Sequence, residues 1–129
     1  MLDKERQGLD PSLRSIVDEE SEKETEKGRG FIYCAMCSSV IGKASDRIEV
    51  NGAHQHRCTN PYGYVFPVVC FSEALGCTLS GQRTSADTWF AGYQWRYASC
   101  SECQRHLGWY FDTADHYFYG LIMDRIQND

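Results

Sequence analysis

The chain has 129 residues, the length of one domain, and carries a formal net charge of -5. That charge has the wrong sign for a phosphate-binding surface, so composition argues against a nucleic-acid-binding protein. No apolar run approaches the ~20 residues that a membrane-spanning helix needs, and the first residues do not begin a signal peptide. We therefore expect a cytoplasmic protein without a membrane segment.

Residues 1–29 differ in composition from the rest of the chain. They lack Phe, Trp, Tyr and Cys, and they contain nine acidic and six basic side chains. Such a segment cannot bury a core, so we expect a disordered charged arm with transient helix around residues 11–27. A partner-binding tail is the functional alternative. The folded domain is expected over residues 30–126, followed by a short tail at 127–129.

Four of the seven cysteines form two Cys-x-x-Cys pairs, one at Cys34 and Cys37 and one at Cys100 and Cys103. In a cytoplasmic chain such pairs favour a metal over disulfides. Four thiolates fill a tetrahedral site and leave no open position, so we expect one structural zinc ion. The ion would close a loop of more than sixty residues and so staple the two ends of the domain together. The alternative is a set of buried or redox-active thiols.

The sequence predicts an all-β domain between and around these pairs. Pro67 suggests an edge or a bulge, and Gly120 suggests a kink or a close approach. The unpaired cysteines are predicted to be buried apolar residues: Cys58, Cys70 and Cys77. Turns are predicted from Asn, Pro and Gly at residues 51–52, 60–63 and 75–77. Outside the aromatic stretch described next, the predicted strands are residues 31–33, 47–50, 64–71, 78–79 and 116–123.

Residues 89–111 contain all three tryptophans and the second cysteine pair. Large side chains alternate on both sides of that pair, which predicts two antiparallel strands joined by a tight turn. Trp95 and Trp109 are then opposite or diagonal neighbours, and Trp89 lies in the loop just upstream. Neighbouring indoles are compatible with core packing or with the wall of a binding cage. The polar residues that precede Trp89 favour the cage.

The spacing of these motifs resembles that of the CULT domains, the family of the thalidomide-binding domain of cereblon, and most closely its single-domain bacterial members. The resemblance covers about residues 31–126 and implies a β-tent, in which one zinc pins two antiparallel sheets. It rests on Cys34-x-x-Cys37, Asn60-Pro61-x-Gly63, Trp89-Phe90-x-Gly92-Tyr93-x-Trp95, Cys100-x-x-Cys103, His106-Leu107-Gly108-Trp109-x-Phe111 and Gly120-Leu121.

The resemblance also implies a ligand and a binding pose. A glutarimide or similar cyclic imide would enter a cage with Phe111 as its floor and three indole walls, supplied by Trp89, Trp95 and Trp109. The main-chain carbonyl of Asp87 would accept the imide N–H, and the main-chain N–H of Trp89 would donate to an imide carbonyl. Asn60 would line the entrance. The family has histidine where this chain has Asp87, so a side-chain hydrogen bond is expected to be lost.

The resemblance leaves several partners open. The natural ligand is expected to be a cyclic imide or a uracil-like ring, for example a nucleoside, a hydantoin or a protein C-terminus cyclised to an imide. Nothing in the 129 residues predicts the domain through which cereblon joins a ubiquitin ligase, so substrate degradation is not expected.

Other classes of function remain as alternatives. A methionine sulfoxide reductase on the same fold would need a nucleophilic cysteine after Cys103, and none is present in the sequence. An enzyme that hydrolyses cyclic imides would need a base such as His106, which we expect to be solvated or to lie beside the metal ligands. His54 and His56 are predicted to be surface residues. A zinc-stabilised protein or nucleic-acid interaction module is the third class. We expect a binding module and no enzyme.

Overall fold

The computed structural model describes residues 30–128, so the predicted arm at 1–29 lies outside the described residues, as does residue 129. The described chain consists of β-strands and two short 3-10 turns, Ala44–Asp46 and Met123–Arg125, with no α-helix. The strands are β1 (Phe31–Cys34), β2 (Val40–Lys43), β3 (Gln55–Thr59), β4 (Val65–Phe71), β5 (Cys77–Thr84), β6 (Gln94–Cys100), β7 (His106–Asp112), β8 (Tyr117–Ile122) and β9 (Ile126–Asn128).

These strands form two antiparallel sheets, which confirms the predicted all-β β-tent. The smaller sheet has the order β2-β1-β9 and the larger one has the order β3-β4-β8-β7-β6-β5. One cluster of buried residues lies between the sheets and includes Ile32 and Ile41 from the smaller sheet and Leu107 and Leu121 from the larger one. The sheets are therefore held together by apolar packing, in addition to any link between their cysteines.

The hairpin of β6 and β7 has the predicted form. The second cysteine pair occupies its turn, and the large side chains on both strands share one register. Trp95 pairs with Phe111, and Tyr97 pairs with Trp109. Trp95 and Trp109 are consequently diagonal neighbours on one face of the sheet, one of the two arrangements that the sequence predicts.

A second buried cluster lies on this aromatic face and contains Trp109, Phe111 and Phe118. Gly120 faces the cluster, because a Cβ atom built on it would lie 3.0 Å from the Phe111 ring and 2.9 Å from Val68. A larger residue at this position would push the Phe111 ring out of place. The predicted close approach at Gly120 is thereby confirmed, and it fixes one residue of the candidate site.

The prediction for β4 is confirmed nearly to its limits, including the position of Pro67. This proline pairs with Arg57 of β3, whereas the pairing of β4 with β8 starts only at Val68. Pro67 thus lies where β4 has one neighbour, which suits a residue without a main-chain N–H.

Other boundaries differ from the prediction. Residues 47–50 form no strand and have two isolated β-bridges, from Arg47 to Phe71 and from Val50 to Ala53. The sequence pattern does not predict β2, β3 or β9, and it predicts only two residues of the long β5. The predicted tail at 127–129 is wrong for residues 127 and 128, because both belong to β9 and pair with β1. All four of these strands lie at sheet edges, where fewer side chains are buried and the pattern is weak.

Within residues 30–128, no helix has the length and apolar character needed to cross a membrane.

Candidate functional site

The four paired cysteines come together where the two sheets meet. The Sγ atoms of Cys34 and Cys103 are 3.7 Å apart, and those of Cys37 and Cys100 are 3.6 Å apart. All four sulfurs lie within 4.8 Å of one another. A tetrahedral zinc with ~2.3 Å bonds to sulfur has edges of about 3.8 Å between its ligands, so the spacing fits such an ion. The cluster can therefore hold a metal ion.

The two cysteine pairs have the same main-chain geometry. In each, the N–H of the first cysteine donates to the carbonyl five residues later, and its carbonyl accepts from the N–H four residues later, at 2.8 to 2.9 Å. Ser38 and Gln104, at that fourth position, both have positive φ angles, 66° and 69°. Main-chain hydrogen bonds close both turns in the same way. Cys37 is therefore placed relative to Cys34 as Cys103 is placed relative to Cys100, on the opposite sheet. This matched pair of turns is what a knuckle-type metal site requires.

Ser39 is a buried part of this cluster that the sequence analysis missed. Its side chain is 2% exposed, and its hydroxyl lies 3.2 Å from the Sγ atoms of both Cys37 and Cys100. Burial raises the pKa of Cys34 to about 12 and also raises the pKa of Cys37. Burial also raises the pKa of Cys100, but the main-chain N–H of Cys103 and the Ser39 hydroxyl outweigh it, so the net pKa is lowered. These hydrogen-bond donors thus stabilise the thiolate form of Cys100.

The other cysteines are not metal ligands in this arrangement. Cys58 and Cys70 are buried in the aromatic cluster, and burial raises their pKa values to about 11 and about 12. Cys77 pairs with Cys100 across β5 and β6, but it does not belong to the four-sulfur group. The predicted burial is confirmed for Cys58 and Cys70, whereas Cys77 is only partly buried against the cluster between the sheets.

A cavity of about 450 Å³ opens on the aromatic face of the larger sheet. It brings together all six residues that the family resemblance assigns to a ligand: Asn60, Asp87, Trp89, Trp95, Trp109 and Phe111. Five further residues line it that the resemblance does not assign to a ligand, namely Pro61, Tyr62, Phe66, Tyr97 and His106. Apolar rings therefore dominate its wall, while a few polar groups converge on it from loops, as in sites that bind small molecules.

Trp89 reaches the cavity from the loop between β5 and β6. Its ring meets that of Trp109 edge to face, with centroids 4.7 Å apart and planes at 86°. The Trp89 indole Nε1 donates to the main-chain carbonyl of Thr59 at 2.8 Å, so the loop is tied to the end of β3. Phe66 of β4 contacts both tryptophans. The ring of Trp89 is consequently held in place by contacts that the sequence does not reveal.

Trp95 forms another wall from β6. Its indole Nε1 donates to the main-chain carbonyl of Ala86 at 2.8 Å, and its ring packs edge to face on Tyr97. Phe111, directly opposite Trp95 in the sheet, is 1% exposed and stacks on Phe118. Because the indole N–H groups of Trp89 and Trp95 are both used by loop carbonyls, these rings offer apolar faces to the cavity.

Residues 85–89 supply main-chain polar groups at the cavity. Asp87 has a positive φ of 57°, a conformation that Asp tolerates better than most residues. Thr88 donates its N–H to the carbonyl of Ser85 at 3.2 Å. Among residues 30–128, the carbonyl of Asp87 and the N–H of Trp89 take part in no hydrogen bond. One acceptor and one donor are therefore available side by side on this loop.

Asn60 organises the turn at the other side of the cavity. Its Oδ1 accepts from the main-chain N–H groups of Tyr62 and Tyr64 at 3.0 and 2.9 Å. The turn is closed by the N–H of Gly63, which donates to the Asn60 carbonyl. The side-chain oxygen is thus used internally, so only the amide NH2 of Asn60 remains to meet a ligand.

His106 lies at the cavity with both ring nitrogens engaged. Nε2 is 2.8 Å from the carbonyl of Gly108, and Nδ1 is 3.4 Å from the guanidinium of Arg125. Burial lowers the pKa of this imidazole, and the nearby Arg125 charge lowers it further. The ring packs edge to face on Trp109 and Tyr97. The predicted solvated position of His106 is wrong, because the imidazole is partly buried in the cavity wall.

His54 and His56 are partly buried, in contrast to the predicted surface positions. The Nδ1 of His54 lies 3.0 Å from the carbonyl of Ile48, and the Nε2 of His56 lies 3.0 Å from the carbonyls of Val50 and Ala53. They tie residues 48–53 to β3. Within residues 30–128, the four-cysteine group is the one cluster of possible metal ligands with three or more members.

Similarity to known proteins agrees with this geometry. The chain is 34% identical to protein cereblon of Drosophila persimilis over 108 residues, or 74% of the chain, and 34% identical to that of Drosophila melanogaster over 100 residues. It is 36% identical to protein cereblon of Gallus gallus over 67 residues, or 48% of the chain. The chain is a homologue of cereblon. No family model matches it.

The cereblon-like region is only a part of those relatives. The matches span 17%, 16% and 15% of the lengths of the three cereblons. The similarity is therefore to one portion of cereblon, and it agrees with the CULT-domain motifs in the sequence. The functions of the full-length relatives are therefore not assigned to this chain.

Proposed function

We propose that this cereblon-like domain binds a small cyclic imide, such as a glutarimide, or a uracil-like ring in its aromatic cavity. The observation that carries the proposal is that main-chain polar groups without a hydrogen-bond partner lie beside aromatic walls. The carbonyl of Asp87 and the N–H of Trp89 are unpaired among residues 30–128, and the ring of Trp89 itself forms part of the wall.

The chemistry of a cyclic imide matches both features. Such a ring has apolar methylenes on one edge and a carbonyl, N–H, carbonyl sequence on the other. The indole faces of Trp89, Trp95 and Trp109 suit the methylenes. The carbonyl of Asp87 accepts the imide N–H, and the N–H of Trp89 donates to an imide carbonyl.

The volume of the cavity also supports this ligand class. At about 450 Å³ it lies within the range of small-molecule sites and leaves space beside a six-membered ring for a substituent. Asn60 and Tyr62 lie on the turn at the side of the cavity, where such a substituent would pass. A nucleoside, a hydantoin and a protein C-terminus cyclised to an imide are all compatible with this pose.

We propose further that the ion in the four-cysteine cluster is zinc and that its role is structural. Four sulfurs with tetrahedral spacing leave no coordination position for water or a ligand. Cys34 and Cys37 come from the smaller sheet, and Cys100 and Cys103 come from the larger one. The ion would thus join the two sheets, and its binding energy would be folding energy.

We infer that the domain is not an enzyme. Chemistry on an imide would need a base or a nucleophile at the cavity, and His106 has both ring nitrogens occupied by Gly108 and Arg125. None of the described cysteines lines the cavity, which argues against a reductase. A nucleic-acid module would need basic side chains there, and the described lining contains no Lys or Arg. Cytoplasmic location and the absence of a ligase partner stay predictions.

Titration of the protein with glutarimide, thalidomide, uracil, uridine and hydantoin, followed by tryptophan fluorescence, tests the ligand class. Glutarimide has about eight heavy atoms, and at roughly 0.5 to 1 kcal/mol per atom its binding free energy is about -4 to -8 kcal/mol. We therefore expect saturable binding with a Kd between about 1 µM and 1 mM, and little dependence on salt. If no ring of this panel perturbs the fluorescence at millimolar concentration, the proposal is wrong.

A further inference from the structure

Asp87 is the one Asp, Glu, Lys or Arg among the described residues that line the aromatic cavity. The remaining lining residues are aromatic or uncharged, apart from the imidazole of His106. Burial keeps the pKa of His106 low, so this ring adds no positive charge at neutral pH. Asp87 consequently carries the one formal charge among the described residues of the cavity lining, while the guanidinium of Arg125 contacts the lining residue His106.

No described residue neutralises this carboxylate. Asp87 makes no ion pair and no side-chain hydrogen bond within residues 30–128. Asp112 offers a contrast, because its carboxylate receives two hydrogen bonds from Arg83, the shorter one at 2.6 Å. Arg83 is thereby occupied, and the guanidinium of Arg96 is directed to the carbonyl of Gly81. The charge at Asp87 remains available to a ligand.

The aromatic wall of the cavity also favours a positively charged ligand. The faces of indole rings carry partial negative charge and attract cations placed over them, most strongly when the cation is partly desolvated. Trp95 and Trp89 both direct their N–H groups to loop carbonyls, which leaves their faces to the cavity. A positive group held between such faces and a carboxylate is stabilised by both, whereas a negative group is repelled by both.

We propose that Asp87 makes the cavity selective for ligands that carry a positive charge on or beside the bound ring. This inference rests on the proposed function, since it concerns the substituent of the same ligand. It predicts that a cationic derivative of glutarimide binds more tightly than a neutral one of equal shape. It predicts also that a nucleoside such as uridine binds more tightly than uridine 5'-phosphate.

A matched pair of ligands tests the charge alone. Glutarimide with a 3-trimethylammonium substituent and glutarimide with a 3-tert-butyl substituent have nearly the same shape but differ by one positive charge. We expect the cation to bind about threefold to tenfold more tightly to the wild-type protein in 50 mM salt, as a partly exposed charge with aromatic neighbours predicts. In 1 M salt, where the screening length falls to ~3 Å, the ratio should approach one.

Two protein variants assign the effect to its residue. Asp87→Asn removes the charge but keeps a side chain that tolerates the positive φ of 57° at this position. We expect the ratio of the two affinities to fall to about one in this variant. Glu49→Gln removes another exposed carboxylate, one that does not line the cavity, and the ratio should stay at the wild-type value.

The outcomes separate this inference from the proposed function. Equal affinity of the two ligands for the wild-type protein, or a preference that survives Asp87→Asn, overturns the charge selectivity and leaves imide binding intact. If unsubstituted glutarimide fails to bind while tetramethylammonium binds in an Asp87-dependent way, the charge selectivity stands and the imide proposal fails. Absence of binding by every one of these compounds overturns both.

Discussion

The four-cysteine cluster and the aromatic cavity lie along the same hairpin of β6 and β7, and their polar groups are hydrogen-bonded to different extents. In the cluster, the first cysteine of each pair has its main-chain N–H and carbonyl hydrogen-bonded within its own turn, and the Ser39 hydroxyl lies 3.2 Å from two of the sulfurs. At the cavity, the indole N–H groups are paired with loop carbonyls, but the carbonyl of Asp87 and the N–H of Trp89 are not paired within residues 30–128. A closed polar network suits a structural site, and an open one suits a binding site.

The largest expected effect comes from removing the metal. A structural zinc contributes ~10 to 16 kcal/mol of apparent binding free energy, which is comparable with the ~5 to 15 kcal/mol that stabilises a whole domain. We therefore expect one zinc per chain by metal analysis, and loss of the β signal in circular dichroism when a strong chelator is added. Addition of zinc should restore the signal. A chelated protein that unfolds cooperatively at an unchanged temperature would contradict a structural role.

A smaller effect is expected from Trp95→Ala, which should act on the cavity and spare the cluster. Loss of one stacking wall costs about 1 to 3 kcal/mol of ligand binding, judged from bases stacked on aromatic residues. Trp95 is only partly buried, so the fold should persist and zinc content should stay the same. Tyr110→Ala serves as the control, because Tyr110 is a partly buried aromatic residue of β7 that does not line the cavity. Equal weakening of glutarimide binding by both variants would show that the effect is not local.

The Ser39→Ala variant should change the four-cysteine cluster and leave the cavity unaltered. Removal of a hydrogen bond to a metal ligand weakens metal binding by about tenfold to a hundredfold. We expect this loss in a competition with a chromophoric chelator, with imide affinity unchanged in zinc-saturated protein. Ser101→Ala is the matched control, since Ser101 lies exposed in the second turn. If Ser39→Ala retains zinc as tightly as Ser101→Ala, the hydroxyl does not stabilise the thiolates.

The smallest effect is expected from Cys70→Ala. Cys70 is fully buried beside the aromatic cluster, and burial holds its pKa near 12, so it acts as an apolar side chain. Its truncation should lower the free energy of unfolding by about 1 kcal/mol, seen as a lower urea midpoint, without change in zinc content. Loss of a catalytic turnover in folded Cys70→Ala protein would instead revive the enzyme hypothesis.

The sequence predicts the hairpin that joins these two regions because two strong signals coincide there. Alternating aromatic residues around a Cys-x-x-Cys turn set both the strands and their register, and the structure has Trp95 and Trp109 as diagonal neighbours. In contrast, β3 buries only one of its five residues, Cys58, since it is an edge strand. Its polar sequence therefore carries no strand pattern, and the same holds for the three residues of β9.

The parts of the site that escaped prediction depend on contacts between distant segments. Phe66 lines the cavity because β4 and β7 both pair with β8 and so lie near each other in one sheet. Ser39 is buried because two turns sixty residues apart meet over it. His106 is held by Arg125, which follows β8. Neither composition nor spacing contains these contacts, so residue type could not single out Phe66 and Ser39, and it named His106 only as a candidate base.

The most direct test of the account is the affinity of glutarimide against that of N-methylglutarimide, measured by tryptophan fluorescence on the same protein. Methylation keeps the apolar contacts with the indoles but deletes the N–H that the carbonyl of Asp87 is proposed to accept. Leaving that carbonyl unpaired costs about 1 to 3 kcal/mol, so the N-methyl compound should bind roughly tenfold or more weakly. Equal affinity of the two compounds would contradict recognition of the imide edge by residues 87–89.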